Sequence, residues 1–261
     1  MDKNGVVDFE DFKQKVNQNT AFISIMHVSN ETGAVNNIEE LAKYAKMVNN
    51  KVIVHSDGVQ AVGKVEVNLQ KLNVDLYTIS GHKINAPRGI GILLVNKNLS
   101  IKPLILGGGQ QINLRSGTEN TSGILAITKA IEFASQNQQT NAQNVQILRD
   151  YVKHNLLSQI QTCKINESSV NSAYILSVSF SNFRGEVLLH LLAEKQILIG
   201  TGSACSSKKV DNRTLSNMGN TKEQIQGSIR IGFCAKNTME EINLVTQTII
   251  EIVKNGYNTK E

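Results

Sequence analysis

The residues best equipped for chemistry follow directly behind three β-branched runs. Ser29-Asn30-Glu31-Thr32-Gly33 follows 21–28, Ser56-Asp57-Gly58-Val59-Gln60 follows 51–55, and Ser80-Gly81-His82-Lys83 follows 76–79. A carboxylate at 57 can hold a pyridine nitrogen protonated, which turns the ring into an electron sink, and Gln60 can bond a ring hydroxyl. Ser80 and His82 can donate to a phosphate, and the Lys83 amine can form an imine. Asn30 offers an amide beside such a ring. Taken singly these residues are ordinary: an Asp behind a strand usually caps a helix, and most lysines are surface groups. Parallel α/β sheets bind ligands at the carboxyl ends of their strands. Repeated at successive strand ends, these side chains make up the set a pyridoxal phosphate site uses.

Cys205 is the second chemical feature. It lies in the small-residue stretch Gly200-Thr201-Gly202-Ser203-Ala204-Cys205-Ser206-Ser207, which has too little bulk to bury a thiol, and Lys208 and Lys209 behind it favour the thiolate. Cys163 and Cys234 lack such surroundings and read as structural. Three scattered cysteines make neither a disulfide framework nor a zinc motif, which fits a reduced compartment. His27, His55, His154 and His190 also read as structural.

Two shorter patterns carry less. Asp2-Lys3-Asn4-Gly5 through Asp11 resembles a calcium loop entered late, but the first ligand would precede Met1 and Asp11 stands at the closing glutamate position. A turn leading into a short helix is the expectation there, and no metal site is expected. Gly58 to Lys64 has P-loop spacing, but Val65 stands where a magnesium-binding hydroxyl is needed.

The elements that must position these groups are legible from periodicity. Strands are expected at 21–28, 51–55, 76–79 and 89–96, with a crossover helix over 36–50 capped by Asn37 with Glu40 three residues on. The alternation predicts an α/β protein with a mainly parallel sheet. From 122 to about 161 the pattern is helical and polar, with an interruption at 136–144 taken as a domain boundary: 1–135 the larger domain, 136–261 a smaller α+β domain. That second part is expected to hold strands at 175–180, 197–200 and 228–233 and helices at 185–195 and 238–254. The last of these begins with a Thr238/Glu241 capping box and carries Ile242, Val245, Ile249 and Val253 on one face.

The 261 residues, 40% apolar, suffice for a full core. The net charge of +5 is spread along the chain with no aromatic residues interleaved, which reads as a solvated basic surface, not a nucleic-acid site. No apolar run approaches a membrane span and nothing resembles a signal peptide, so a soluble cytoplasmic protein is expected.

Six ordered motifs then give a specific likeness. His27-Val28-Ser29-Asn30-Glu31-Thr32-Gly33, His55-Ser56-Asp57-Gly58-Val59-Gln60, Ser80-Gly81-His82-Lys83, Arg115-Ser116-Gly117-Thr118-Glu119-Asn120, Gly202-Ser203-Ala204-Cys205 and Ser228-Ile229-Arg230 occur in the order found in cysteine desulfurases of the NifS/IscS group. The resemblance covers nearly the whole chain. It implies a PLP-dependent transferase of fold type I, a homodimer that converts L-cysteine to L-alanine and leaves a persulfide on the enzyme. Residues 1–135 would then be the C-terminal part of the large cofactor domain, and 136–261 the small domain carrying the cysteine loop.

By matching position, Lys83 resembles the family's Schiff-base lysine and Asp57 the partner of the pyridine nitrogen. Gln60 and Asn30 lie around the ring in the same likeness, and Ser80 and His82 resemble phosphate ligands. Thr118 would reach the phosphate of the partner subunit's cofactor. Arg230, with Asn30 nearby, resembles the clamp on the substrate carboxylate, a role suited to its bidentate fork. Cys205 resembles the nucleophile, and the long polar connection behind it, 206–226, resembles the family's mobile cysteine loop, which delivers sulfur to an acceptor protein such as an iron–sulfur scaffold. Ser56 and Gly58 depart mildly from the family's usual choices.

The family also has a long segment ahead of the position of Asp2, with a Gly/Thr-rich phosphate loop and a histidine that stacks on the ring. This sequence has no His before His27 and no Gly-rich loop before Gly33. Weakened cofactor binding and activity that depends on those missing parts are therefore expected. The alternative expectation is a non-catalytic, partner-binding remnant of the family.

Overall fold

A computed structural model describes residues 1–202 and 212–256. They form seven strands and eight α-helices, gathered in two compact units. One unit comprises Lys13–His27 and Asn37–Asn137; the other comprises Met1–Phe12, Val28–Asn36 and Gln138–Glu261.

The first of these units is built on a four-stranded sheet in the order β1 (Phe22–Met26), β2 (Ile53–Asp57), β3 (Leu76–Ser80), β4 (Gly91–Val95). β1, β2 and β3 run parallel, while β4 returns antiparallel to β3. All four strands fall within the expected stretches or extend them by a residue or two. The crossover helix α2 (Ile38–Val48) starts as expected, with Asn37 Oδ1 accepting from Glu40 N at 3.3 Å. Alternation along the strands sends Tyr77 and Ile79 into a core with Ile38, Val62, Leu72, Ile84 and Ile127. A short helix, α3 (Leu69–Leu72), leads into β3.

The other unit carries an antiparallel sheet of β5 (Cys163–Ile165), β6 (Ile175–Phe180) and β7 (Ser228–Gly232). Its core joins Leu176, Val178 and Phe180 to Leu188 and Leu192 of α5 (Gly185–Glu194) and Ile242 and Ile249 of α8 (Met239–Asn255). The Thr238/Glu241 capping box at the start of α8 is present as expected. The short helix expected near the N-terminus is α1 (Phe9–Lys15).

Three expectations are corrected. The interruption expected at 136–144 does not exist: α4 (Thr121–Gln159) runs through it unbroken. Gln costs a helix little, and Val145, Leu148, Val152 and Leu156 beyond the polar stretch bury a common face. Residues 197–200 form no strand. Only Gly200 pairs, in an isolated bridge to Arg230, while Ile197 and Ile199 pack onto the core. The region expected to be a mobile loop over 206–226 holds two short helices among its described residues, α6 (Arg213–Asn217) and α7 (Lys222–Gln226). Asn212 caps the first, Thr221 and Gln224 form a capping box on the second, and Leu215 within the first helix and Met218 at its end are buried. Among the described residues no helix is long and apolar enough to cross a membrane.

Candidate active site

Because β2 and β3 are parallel neighbours, their carboxyl ends lie side by side, and five of the expected site residues are brought together there. Asp57 is the last residue of β2 and pairs in register with Thr78, two residues before Ser80 at the end of β3. Asp57 Oδ1 accepts from Val59 N at 2.9 Å, and its backbone carbonyl accepts from His27 N at 2.8 Å, so both the carboxylate and its strand end are held. Gln60, almost fully buried, sits in the turns behind β2.

Behind β3, Gly81–Ile84 forms a 3-10 turn carrying His82 and Lys83. The turn is pinned by Gly81 N donating to Ile90 O at 3.0 Å and by Ala86 N donating to Gly81 O at 3.0 Å. A side chain on residue 81 would come within 2.9 Å of Ile90 Cγ2, so glycine is what lets the turn lie this close to its neighbour. Ile84 anchors the turn in the core, leaving Lys83 exposed. Ser80 Oγ and His82 Nδ1 lie 2.9 Å apart, pairing the two expected phosphate ligands.

Asn30 and Arg230 meet in the other unit. Arg230 Nη1 donates to Asn30 O at 3.0 Å, joining residues two hundred positions apart, and the Arg230 backbone pairs in both directions with Gly200. A Cβ at residue 200 would lie 3.1 Å from Arg230 Nη2, so the bare glycine leaves room for the guanidinium. Thr118 is exposed in the loop ahead of α4. That loop also exposes Leu104, Leu106 and Ile112 almost completely, and it places Gln111, Ile112 and Asn113 consecutively in the left-handed region. Cys205, with Lys208 and Lys209, lies outside the described residues.

Three groups at the β2–β3 end were not picked out as site residues by the sequence. Tyr77, fully buried, places its hydroxyl 2.9 Å from His27 Nδ1, so His27 is structural, as expected, but has a definite partner. Burial drives the His27 imidazole down from 6.5 to about 4, which keeps it neutral. It also drives the Tyr77 phenol above its ordinary value, with the Asp57 charge adding to the effect. The ring of Tyr77 fills the space where a side chain on residue 58 would project. Gly58 and Tyr77 are thus complementary, which accounts for one of the two departures noted in the motif.

The third group is Lys64, whose Nζ lies 2.6 Å from Gln60 Oε1. Burial first, and the neighbouring Lys83 charge second, lower its pKa from 10.5 to about 8. The P-loop spacing that includes this lysine produces no phosphate loop, since residues 59–65 are turns and the next helix begins only at Leu69.

Residues 1–245 match the class V aminotransferase family. The cysteine desulfurase IscS of Methanosarcina thermophila is 36% identical over 255 residues, covering 97% of this chain and 63% of that protein. A solved NifS-like protein superposes with a TM-score of 0.90 at 35% identity, covering 98% of this chain and 67% of the other. The NifS-like protein from Rickettsia africae ESF-5 gives 0.88 at 27% identity, covering 98% and 69%. The chain therefore spans a little under two thirds of the length of the curated relatives it matches, and it has the fold of the type I PLP-dependent transferases.

Proposed function

The chain belongs to the class V aminotransferase family, and from that premise we propose that it holds pyridoxal phosphate and acts as a cysteine desulfurase. The observation that carries this reading is the grouping of Asp57, Gln60, Ser80, His82 and Lys83 at two adjacent parallel strand ends. The set fits the cofactor's chemistry: a carboxylate for the pyridine nitrogen, an amide for the ring hydroxyl, a Ser/His pair for phosphate, and an exposed amine for covalent attachment. When bound, the cofactor supplies an electron sink beside the substrate's α-carbon.

The chain's own residues then divide the work. Lys83 anchors the cofactor and exchanges protons with the substrate carbon. The forked guanidinium of Arg230, steadied by the Asn30 carbonyl, takes the carboxylate of L-cysteine. The Cys205 thiolate attacks the substrate sulfur. A new S–S bond forms as the substrate C–S bond breaks, leaving alanine and a Cys205 persulfide for an acceptor protein such as an iron–sulfur scaffold. Thr118 completes the phosphate site of a second copy in a homodimer. In support, Leu104, Leu106 and Ile112 leave the loop ahead of Thr118 almost bare of protein cover. A cytoplasmic setting suits a free nucleophilic thiol.

The test is titration of the purified chain with pyridoxal phosphate, followed by L-cysteine. A visible absorption band that is lost in Lys83→Ala, and alanine formation lost in Cys205→Ser, are expected. If wild type gives neither band nor alanine, the catalytic reading fails, and a partner-binding member of the family becomes the better description.

A further inference from the structure

Lys64 takes no part in the chemistry proposed for the site, yet it is a partly buried cation placed against one of the cofactor ligands. Its Nζ donates to Gln60 Oε1 at 2.6 Å, and Gln60 is itself 9% exposed. An ammonium group has three donors and no acceptor, so the amide atom facing it must be the oxygen. The two ends of a glutamine amide are nearly equal in size, and without such a neighbour either end can face a ligand. Lys64 removes that freedom. With Oε1 turned to the lysine, the opposite corner of the amide presents N–H.

We propose that Lys64 is a positioning residue that fixes the polarity of the Gln60 amide, so that Gln60 can only donate to the ring oxygen of the cofactor. A fixed donor favours the ionised oxygen over the neutral hydroxyl, because the ionised form only accepts. This inference rests on the assignment of Gln60 as a cofactor ligand.

Two measurements on the full chain test it. In the cofactor-free protein, the Gln60 side-chain amide resonance, identified by its loss in Gln60→Glu, should move with a titration near pH 8 that Lys64→Met abolishes. In binding, pyridoxal phosphate is compared with its analogue methylated on the ring oxygen. Lys64→Met should weaken the first about five-fold, the worth of one oriented hydrogen bond, and leave the second unchanged within a factor of about two. Lys64→Arg, still donor-only, should restore binding. A Gln60 resonance blind to residue 64, or equal weakening of both compounds, would overturn the proposal while leaving the cofactor site intact. Failure of the wild-type chain to bind either compound would overturn the cofactor site and this inference with it.

Discussion

Gly58→Ala offers a sharp test of how the strand-end site is packed. Residue 58 has no left-handed backbone angle to protect, so alanine is barred only by space. The added methyl would fall within the Tyr77 ring, against Cε1, Cζ and Oη, where carbon atoms need about 3.5 Å. Tyr77 is 1% exposed and cannot swing into solvent. Overpacking of this kind costs about 1–3 kcal/mol. Displacing the ring also breaks the 2.9 Å contact with His27, stranding buried polar groups at a further cost of about 1–3 kcal/mol. The expected loss is therefore about 2–6 kcal/mol. Tyr77→Leu removes both the ring and the hydroxyl, so adding Gly58→Ala to it should cost less than about 0.5 kcal/mol, a strongly non-additive cycle. The chain has no tryptophan, so urea unfolding is best followed by far-ultraviolet circular dichroism. Refutation would be a Gly58→Ala protein within about 0.5 kcal/mol of wild type, or a double variant that equals the sum of the singles.

The same region sets a pH dependence. His27 titrates near 4 when folded and near 6.5 when unfolded, so its contribution is fully present above pH 6.5 and is lost as the pH falls toward 4. The difference is worth about 3 kcal/mol, and unfolding measured at pH 7.5 and pH 4.5 should show a fall that is smaller in His27→Gln. In the other unit, Arg149 is 4% exposed and donates to Glu167 at 2.8 Å and to Ile175 O at 3.2 Å. Burial works to raise the Glu167 pKa, but hydrogen bonds from Lys153 and Arg149 outweigh it and hold the carboxylate ionised. Arg149→Ala should thus cost about 3–5 kcal/mol in thermal or urea unfolding, and a loss under about 1 kcal/mol would contradict the network. Burial pushes the Cys163 thiol up to about 12, whereas Cys234 is exposed. Alkylation at pH 7.5 with mass-spectrometric mapping should therefore mark Cys234 and spare Cys163 until the protein unfolds.

The features legible in the sequence are those that short-range physics controls. The ends of β2 and β3 were visible to within a residue or two because β-branched runs stop shortly before Asp57 and Ser80, and the starts of α2 and α8 because their caps are local pairs three residues apart. The continuity of α4 through 136–144 was hidden by composition. A polar stretch looks like a break unless the apolar residues on each side are known to be buried, Ile127 in one core and Val145, Leu148, Val152 and Leu156 in another, and that is a property of packing. The contact of Asn30 with Arg230 joins residues two hundred positions apart, so no local spacing could show it; the likeness to the family is what suggested the pair.

Lys64 separates these two kinds of information most clearly. Its i+4 spacing from Gln60 was present in the sequence, but so was a Gly-to-Gly-Lys spacing that suggests a phosphate loop. The backbone on the C-terminal side of the lysine decides between them. A phosphate loop needs the first turn of a helix behind it to aim amides at the ligand. Here turns continue to Val65, so the ammonium has no such anion site to serve and closes back on the amide four residues earlier. Burial first and the Lys83 charge second lower its pKa from 10.5 to about 8. Spacing alone offered two readings of this lysine, a phosphate ligand or a partner of Gln60, and the lack of a helix directly behind it favours the second.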